Sequence, residues 1–118
     1  MVKIKRIYDA WEPEDGFRIL VDRLWPRGIS KCRAHLDLWL KEIAPSDALR
    51  KWFAHDPKRW AGFRTKYRRE LAKKADFVRQ IKKLEREKGD ITLLYSAHDT
   101  LHNQALALLQ FLKGARSK

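Results

Sequence analysis

Two short apolar runs, FRILVDR at 17–23 and ITLLYS at 91–96, constrain this 118-residue chain more than any other feature. Each reads as a buried strand, the first bounded by Gly16 and Pro26. The sequence between them is dominated by helical stripes. Strands separated by helices need crossover connections, so the pattern predicts a small, mostly parallel sheet covered on both faces. The fold class is therefore α/β.

The remaining elements fall around these two strands. VKIKRIY at 2–8 alternates apolar and basic residues as a half-exposed strand does. Leu36, Leu38 and Leu40 alternate with Asp37, Trp39 and Lys41, which suggests a short edge strand and fits an early helical turn almost as well. Ser46 can cap a helix whose apolar face is Leu49, Trp52 and Phe53. Asp56 and Pro57 suit the N-cap and first position of the next helix, where Trp60, Phe63, Tyr67 and Leu71 recur at steps of three and four. Phe77, Ile81 and Leu84 continue the pattern to Lys88, and Gly89 is a natural stop. A last helix is expected from Asp99 or Thr100 to Lys113. The order is strand, strand, a short third strand, two or three helices, strand, helix, in one domain spanning 1–118.

At 44% hydrophobic, with five Trp and five Phe, the chain can bury a core without staples. The single cysteine, Cys32, allows no internal disulfide and suits a reducing compartment. The N-terminal residues lack the apolar stretch of a signal peptide, and ALALLQFL at 105–112 falls short of the ~20 residues of a membrane span. A cytoplasmic protein without a membrane segment is the expectation. Net charge is +12, concentrated between Leu49 and Lys88, where fifteen Lys and Arg face five Asp and Glu. Such a surface attracts nucleic acid without reading sequence. It equally serves as a solvated helical face.

In parallel sheets, ligands bind outside the carboxyl ends of the strands. Two segments hold that position, DRLWPRG at 22–28 and SAHDTLHN at 96–103. Arg23 and Arg27 offer planar forks for a carboxylate or phosphate, and Trp25 a flat face for stacking. Gly28 permits close backbone approach or positive φ. Asp22 can orient Arg23 or act as a base. In the second segment, His98 and His102 are four apart, as are Asp99 and Asn103. The helix start would present N–H groups to an anion. His102 is the candidate general acid or base, oriented by Asp22 or Asn103. A metal held by His98 and His102 lacks a third ligand at diagnostic spacing. Neither a Walker A, a G-x-G-x-x-G, a C-x-x-C nor a G-x-S-x-G occurs, so the sequence names no cofactor and argues against a serine hydrolase.

The segments VDRLWPRGISK, LDLWLKEIAPS, LRKWFAHDPKRWAGFRTKYRREL and TLLYSAHDTLHNQA resemble the short, YeaO-like branch of domain-of-unknown-function family 488. The resemblance implies a small prokaryotic α/β protein and carries no activity with it. It directs attention to Asp22, Arg23, Trp25, Pro26, Arg27 and Gly28, to Trp39, Ala44, Pro45 and Ser46, and to His55, Asp56, His102 and Asn103. This chain departs from the family pattern at His98, where lysine is expected, and at Ser96 and Cys32. The expected function is binding of a phosphate- or carboxylate-bearing small molecule between the two loops, with nucleic-acid binding by 49–88 as the rival.

Overall fold

The computed structural model describes residues 1–116. Four strands, β1 (Val2–Arg6), β2 (Phe17–Leu20), β3 (Leu38–Trp39) and β4 (Ile91–Tyr95), form one sheet in the order β1-β4-β2-β3. Every pairing is parallel. The helices are α1 (Lys31–Ala34), α2 (Asp47–Phe53), α3 (Trp60–Ala72), α4 (Ala75–Lys88) and α5 (Gln104–Arg116). The α/β class and the parallel sheet follow the sequence pattern. Three helices separate β3 from β4, and the expected 36–40 strand is reduced to two residues.

Alternation sorts the sheet into two unequal faces. Val2, Ile19, Ile91, Leu93 and Tyr95 join the large core built with α2 to α5. Phe63, Tyr67 and Leu71, the helical stripe read from the sequence, are fully buried there. Burying each such side chain contributes about 1.5–3 kcal/mol. Tyr67 is tolerated because its hydroxyl donates to the Ile43 carbonyl at 2.7 Å. Burial in turn pushes its pKa far above the ordinary tyrosine value. Trp52 departs from the expected apolar face. It is 37% exposed, packs against Gly62, and takes Arg59 and Lys66 over its ring.

The opposite face carries Ile7, Leu20, Ala34 and Leu94, closed by Trp25, Ile29, Leu36 and Trp39. Its cover is the one-turn helix α1 with loops, so the long helices all lie on the other side. On this face Arg18 is buried inside a strand. Its guanidinium donates to Asp15 and, at 3.0 Å, to the Ala34 carbonyl. Asp15 also pairs with Lys5 at 3.1 Å. Burial alone would raise the Asp15 pKa, but hydrogen bonds from the Glu12 N–H, Lys5 and Arg18 outweigh it and hold it low. Gly16, between Asp15 and β2, has φ +66, and a Cβ there would meet the Asp90 carbonyl oxygen. No helix among the described residues is long and apolar enough to cross a membrane.

Candidate functional site

Sheet pairing continues past the strand ends and gathers three loops. The Ile7 N–H donates to Tyr95 O at 2.8 Å, and the Val21 N–H to Leu94 O at 3.1 Å. The chain after β1, β2 and β4 therefore leaves the sheet side by side. A cavity of about 680 Å³ opens there, within the ordinary range of small-molecule sites. Asp22, Arg23, Trp25 and Arg27 line it from the β2 side, His98, His102 and Asn103 from the β4 side.

Asp22 joins the two segments. Its carboxylate accepts the Ser96 backbone N–H at 2.9 Å and a hydrogen bond from Gln104 Nε2. Burial raises its pKa, and the hydrogen bonds from Ser96 and Gln104 and the nearby His55 offset this only in part. The Asp22 carbonyl accepts from Trp39 Nε1 at 2.7 Å.

Arg23 donates from Nε and Nη2 to the Pro45 carbonyl at 3.3 and 3.2 Å, and more weakly to Ala44 O at 3.4 Å. The Ala44 carbonyl also accepts from Lys74 Nζ at 2.8 Å, and burial depresses that lysine's pKa. Ser46 follows. Its Oγ caps α2 by accepting the Leu49 N–H at 3.2 Å, while its own N–H and hydroxyl donate to Glu70. The A-P-S segment is thus a hub on which Arg23 and α3 are anchored. Arg23 is held by the Pro45 and Ala44 carbonyls and by the Asp47 carboxylate, 3.8 Å from its Nε, and braces the loop.

Trp25 is half-buried, donates to the Ile29 carbonyl at 2.6 Å, and meets Trp39 edge-on with ring centroids 5.4 Å apart. It walls the cavity with its indole N–H already engaged. Arg27 is exposed. Tyr8 donates to its backbone carbonyl at 2.8 Å, but its guanidinium makes no hydrogen bond or ion pair among the described residues. Gly28 has φ +80, open space where a Cβ would stand, and a place outside the cavity lining. Its part is the turn, and close approach of a ligand finds no support there.

The 96–103 segment differs most from expectation. The helix begins at Gln104, not at Asp99 or Thr100. Asn103 is its cap, with Oδ1 accepting the Leu106 N–H at 2.8 Å. Asp99 belongs to a preceding turn, where Oδ1 accepts the Leu101 and His102 N–H groups at 2.9 and 3.1 Å. Those N–H groups are therefore engaged by the protein itself rather than offered to an anion. The backbone N–H of Leu101 first, then the hydrogen bond from the His102 ring, holds the Asp99 pKa low. Asp99 lies outside the cavity lining, yet its Oδ2 meets His102 Nδ1 at 2.8 Å. Asp99, and neither Asp22 nor Asn103, orients His102. Trp60 packs edge-on against the same ring at 5.5 Å. His98 Nδ1 faces Arg6 Nη2 at 3.5 Å, and no cluster of three potential metal ligands forms among the described residues.

Arg6, Tyr8, Arg50 and His55 are among the lining residues that lie outside the two motifs. Arg6 donates to the Ser96 and Ala97 carbonyls at 3.2 and 2.8 Å and stacks on Tyr8. Arg6 ends β1 and Tyr8 lies just past it, and both become visible once β1 is known to pair with β4. Arg50 pairs with Asp47 at 3.1 Å. His55 reaches the lining through two successive residues in the left-handed region, Ala54 at φ 47 and His55 at φ 56, a strained arrangement without glycine.

Fold and site together define a small α/β protein with an arginine-lined cavity at the carboxyl ends of a parallel sheet. The chain belongs to the DUF488-N3i family, described as an inactive DUF488-N3 subclade, whose model matches residues 1–118. It is 46% identical over 112 residues to the uncharacterized protein YeaO of Escherichia coli K12, covering 95% of this chain and 96% of that protein. It is 35% identical over 113 residues to Rv3073c of Mycobacterium tuberculosis H37Rv and to Mb3100c of Mycobacterium bovis, covering 96% of this chain and 94% of each. No solved structure matches the chain.

Proposed function

We propose that the strand-end cavity binds a small molecule bearing a phosphate or carboxylate. The observation that carries this reading is the charge of its lining. Arg6, Arg23, Arg27 and Arg50 contribute four guanidinium groups, against one lining carboxylate, Asp22. Arg6 is bonded to neutral carbonyls, which orient it and leave its charge uncompensated, whereas the Asp47 carboxylate lies 3.1 Å from Arg50 and 3.8 Å from Arg23 and offsets part of theirs. Arg27 is the free fork at the mouth and serves as the ligand's main ionic partner. Trp25 supplies the apolar wall.

The reading is of binding rather than turnover. The family description as an inactive subclade supports it. His102, held by Asp99, is the residue to which proton transfer would fall in an enzyme.

A thermal-shift series of wild type and Arg27→Ala against phosphate, phosphorylated metabolites and carboxylates tests the proposal. A ligand at ~100 times its dissociation constant adds about 2.7 kcal/mol, several degrees for a domain of this size. Stabilisation of wild type but not of Arg27→Ala is the expected result. Equal responses of both proteins to every anion would refute it. A shift produced in both by RNA or DNA alone, and erased by salt, would transfer the function to the basic 49–88 surface.

A further inference from the structure

A second groove lies between α3 and α5 and shares no lining residue with the strand-end cavity. Its volume is about 430 Å³, again within the range of small-molecule sites. Leu71, Ala107, Phe111 and the Tyr67 ring form an apolar floor. The Tyr67 hydroxyl is committed to Ile43, so its ring is what the residue offers. Arg64 and Arg68 stand on the same groove, with Gln110 across from them on α5 and no acidic residue in the lining among the described residues.

The two arginines are one helical turn apart and so share a face of α3. Neither makes a hydrogen bond, ion pair or ring contact among the described residues. Like charges at this spacing repel and weaken the helix. An anion shared between the two guanidinium groups converts that repulsion into attraction, and a planar carboxylate matches their fork geometry. The apolar floor requires that the rest of the ligand be hydrocarbon.

We propose that this groove binds a small amphipathic anion, a carboxylate on an alkyl or aryl body, with Arg64 and Arg68 holding the charge and Phe111 and Leu71 the apolar part. The site is independent of the strand-end cavity and stands whatever that cavity binds.

Two-dimensional ¹H–¹⁵N spectra of the full chain, titrated with octanoate and separately with octan-1-ol, test this directly. Octanoate should perturb residues 64–71 and 107–114 saturably, and the alcohol should bind at least tenfold more weakly. The double variant Arg64→Gln/Arg68→Gln should lose affinity tenfold or more, while Arg27→Ala keeps it. Glutamine retains helix propensity, and a melting curve checks the fold. Perturbations scattered over the basic surface or centred on Arg27 would overturn the proposal. So would octan-1-ol binding as tightly as octanoate, or wild-type affinity in the double variant.

Discussion

The carboxylate of Asp22 and the backbone N–H of Ser96, 2.9 Å apart, join the end of β2 to the end of β4. The same carboxylate reaches Gln104 in the first turn of α5. One buried, ionisable side chain therefore sets the relative position of both loops that line the cavity.

This gives the stability of the protein a specific pH signature. The Asp22 pKa is raised in the folded state above its ordinary value of 3.8. The folded protein then binds the proton more tightly than the unfolded chain, so this group opposes stability above the folded pKa. The opposition fades as pH falls from the folded pKa towards 3.8. Denaturation of wild type and Asp22→Asn in parallel should show wild type gaining stability relative to the variant through that window. Asp15 and Asp99, whose depressed pKa values act in the opposite direction, are common to both proteins and cancel.

Arg23 and Arg27, four residues apart, should separate cleanly on mutation. Arg23→Ala removes the hydrogen bonds to the Pro45 and Ala44 carbonyls and is expected to cost about 1–2 kcal/mol in urea unfolding. Arg27→Ala removes an exposed, unpartnered guanidinium and should stay within about 0.5 kcal/mol of wild type. Anion binding should show the reverse order, with Arg27→Ala losing more.

The Asp99–His102 contact fixes a tautomer. A carboxylate oxygen 2.8 Å from Nδ1 needs the proton on that nitrogen, so neutral His102 should carry Nδ1–H and leave Nε2 as the acceptor. Imidazole ¹⁵N shifts read this directly. In Asp99→Asn the population should move towards the Nε2–H form, and retention of Nδ1–H there would mean that Asp99 does not set it.

The buried Asp15–Arg18 pair should be costly to break and cheaper to replace. Asp15→Leu leaves Arg18 as an uncompensated charge with 1% of its side chain exposed, and about 3–5 kcal/mol of destabilisation is expected. Asp15→Leu/Arg18→Met should recover part of that loss in equilibrium unfolding, because no buried charge is then left alone on this face.

The sequence carried the fold where periodicity decided it and lost detail where several residues competed for one role. Ile19, Leu93 and the Trp60–Leu71 stripe are apolar at the spacing of their elements, and burial follows. Arg18 sits within FRILVDR, yet nothing local signals that Asp15 and Ala34 will receive it, since both contacts depend on how the loops fold back. DTLHN holds three residues that can cap a helix. Asp99 took the preceding turn and Asn103 the helix itself, a choice settled by where α5 meets the sheet. Strand ends placed 22–28 and 96–103 where ligands bind, but whether the two loops meet was not legible, because it depends on β2 pairing with β4. Nor was the entry of Arg6 and Tyr8, because it depends on β1 lying beside β4 rather than beside β2.

That strand order also has a temporal meaning. β4, one of the two interior strands, is the last to be made, and β1 has no other partner in the sheet. As the chain leaves the ribosome from its N-terminus, β2 can already pair with β3, but β1 waits with its backbone groups unpaired until 91–95 arrive. Such distant pairing is slow to form. Once β4 inserts between β1 and β2, Ser96 reaches Asp22 in the same motion, so a nascent chain completes its sheet and its cavity together, and a chain halted before residue 91 has at most the β2–β3 pair.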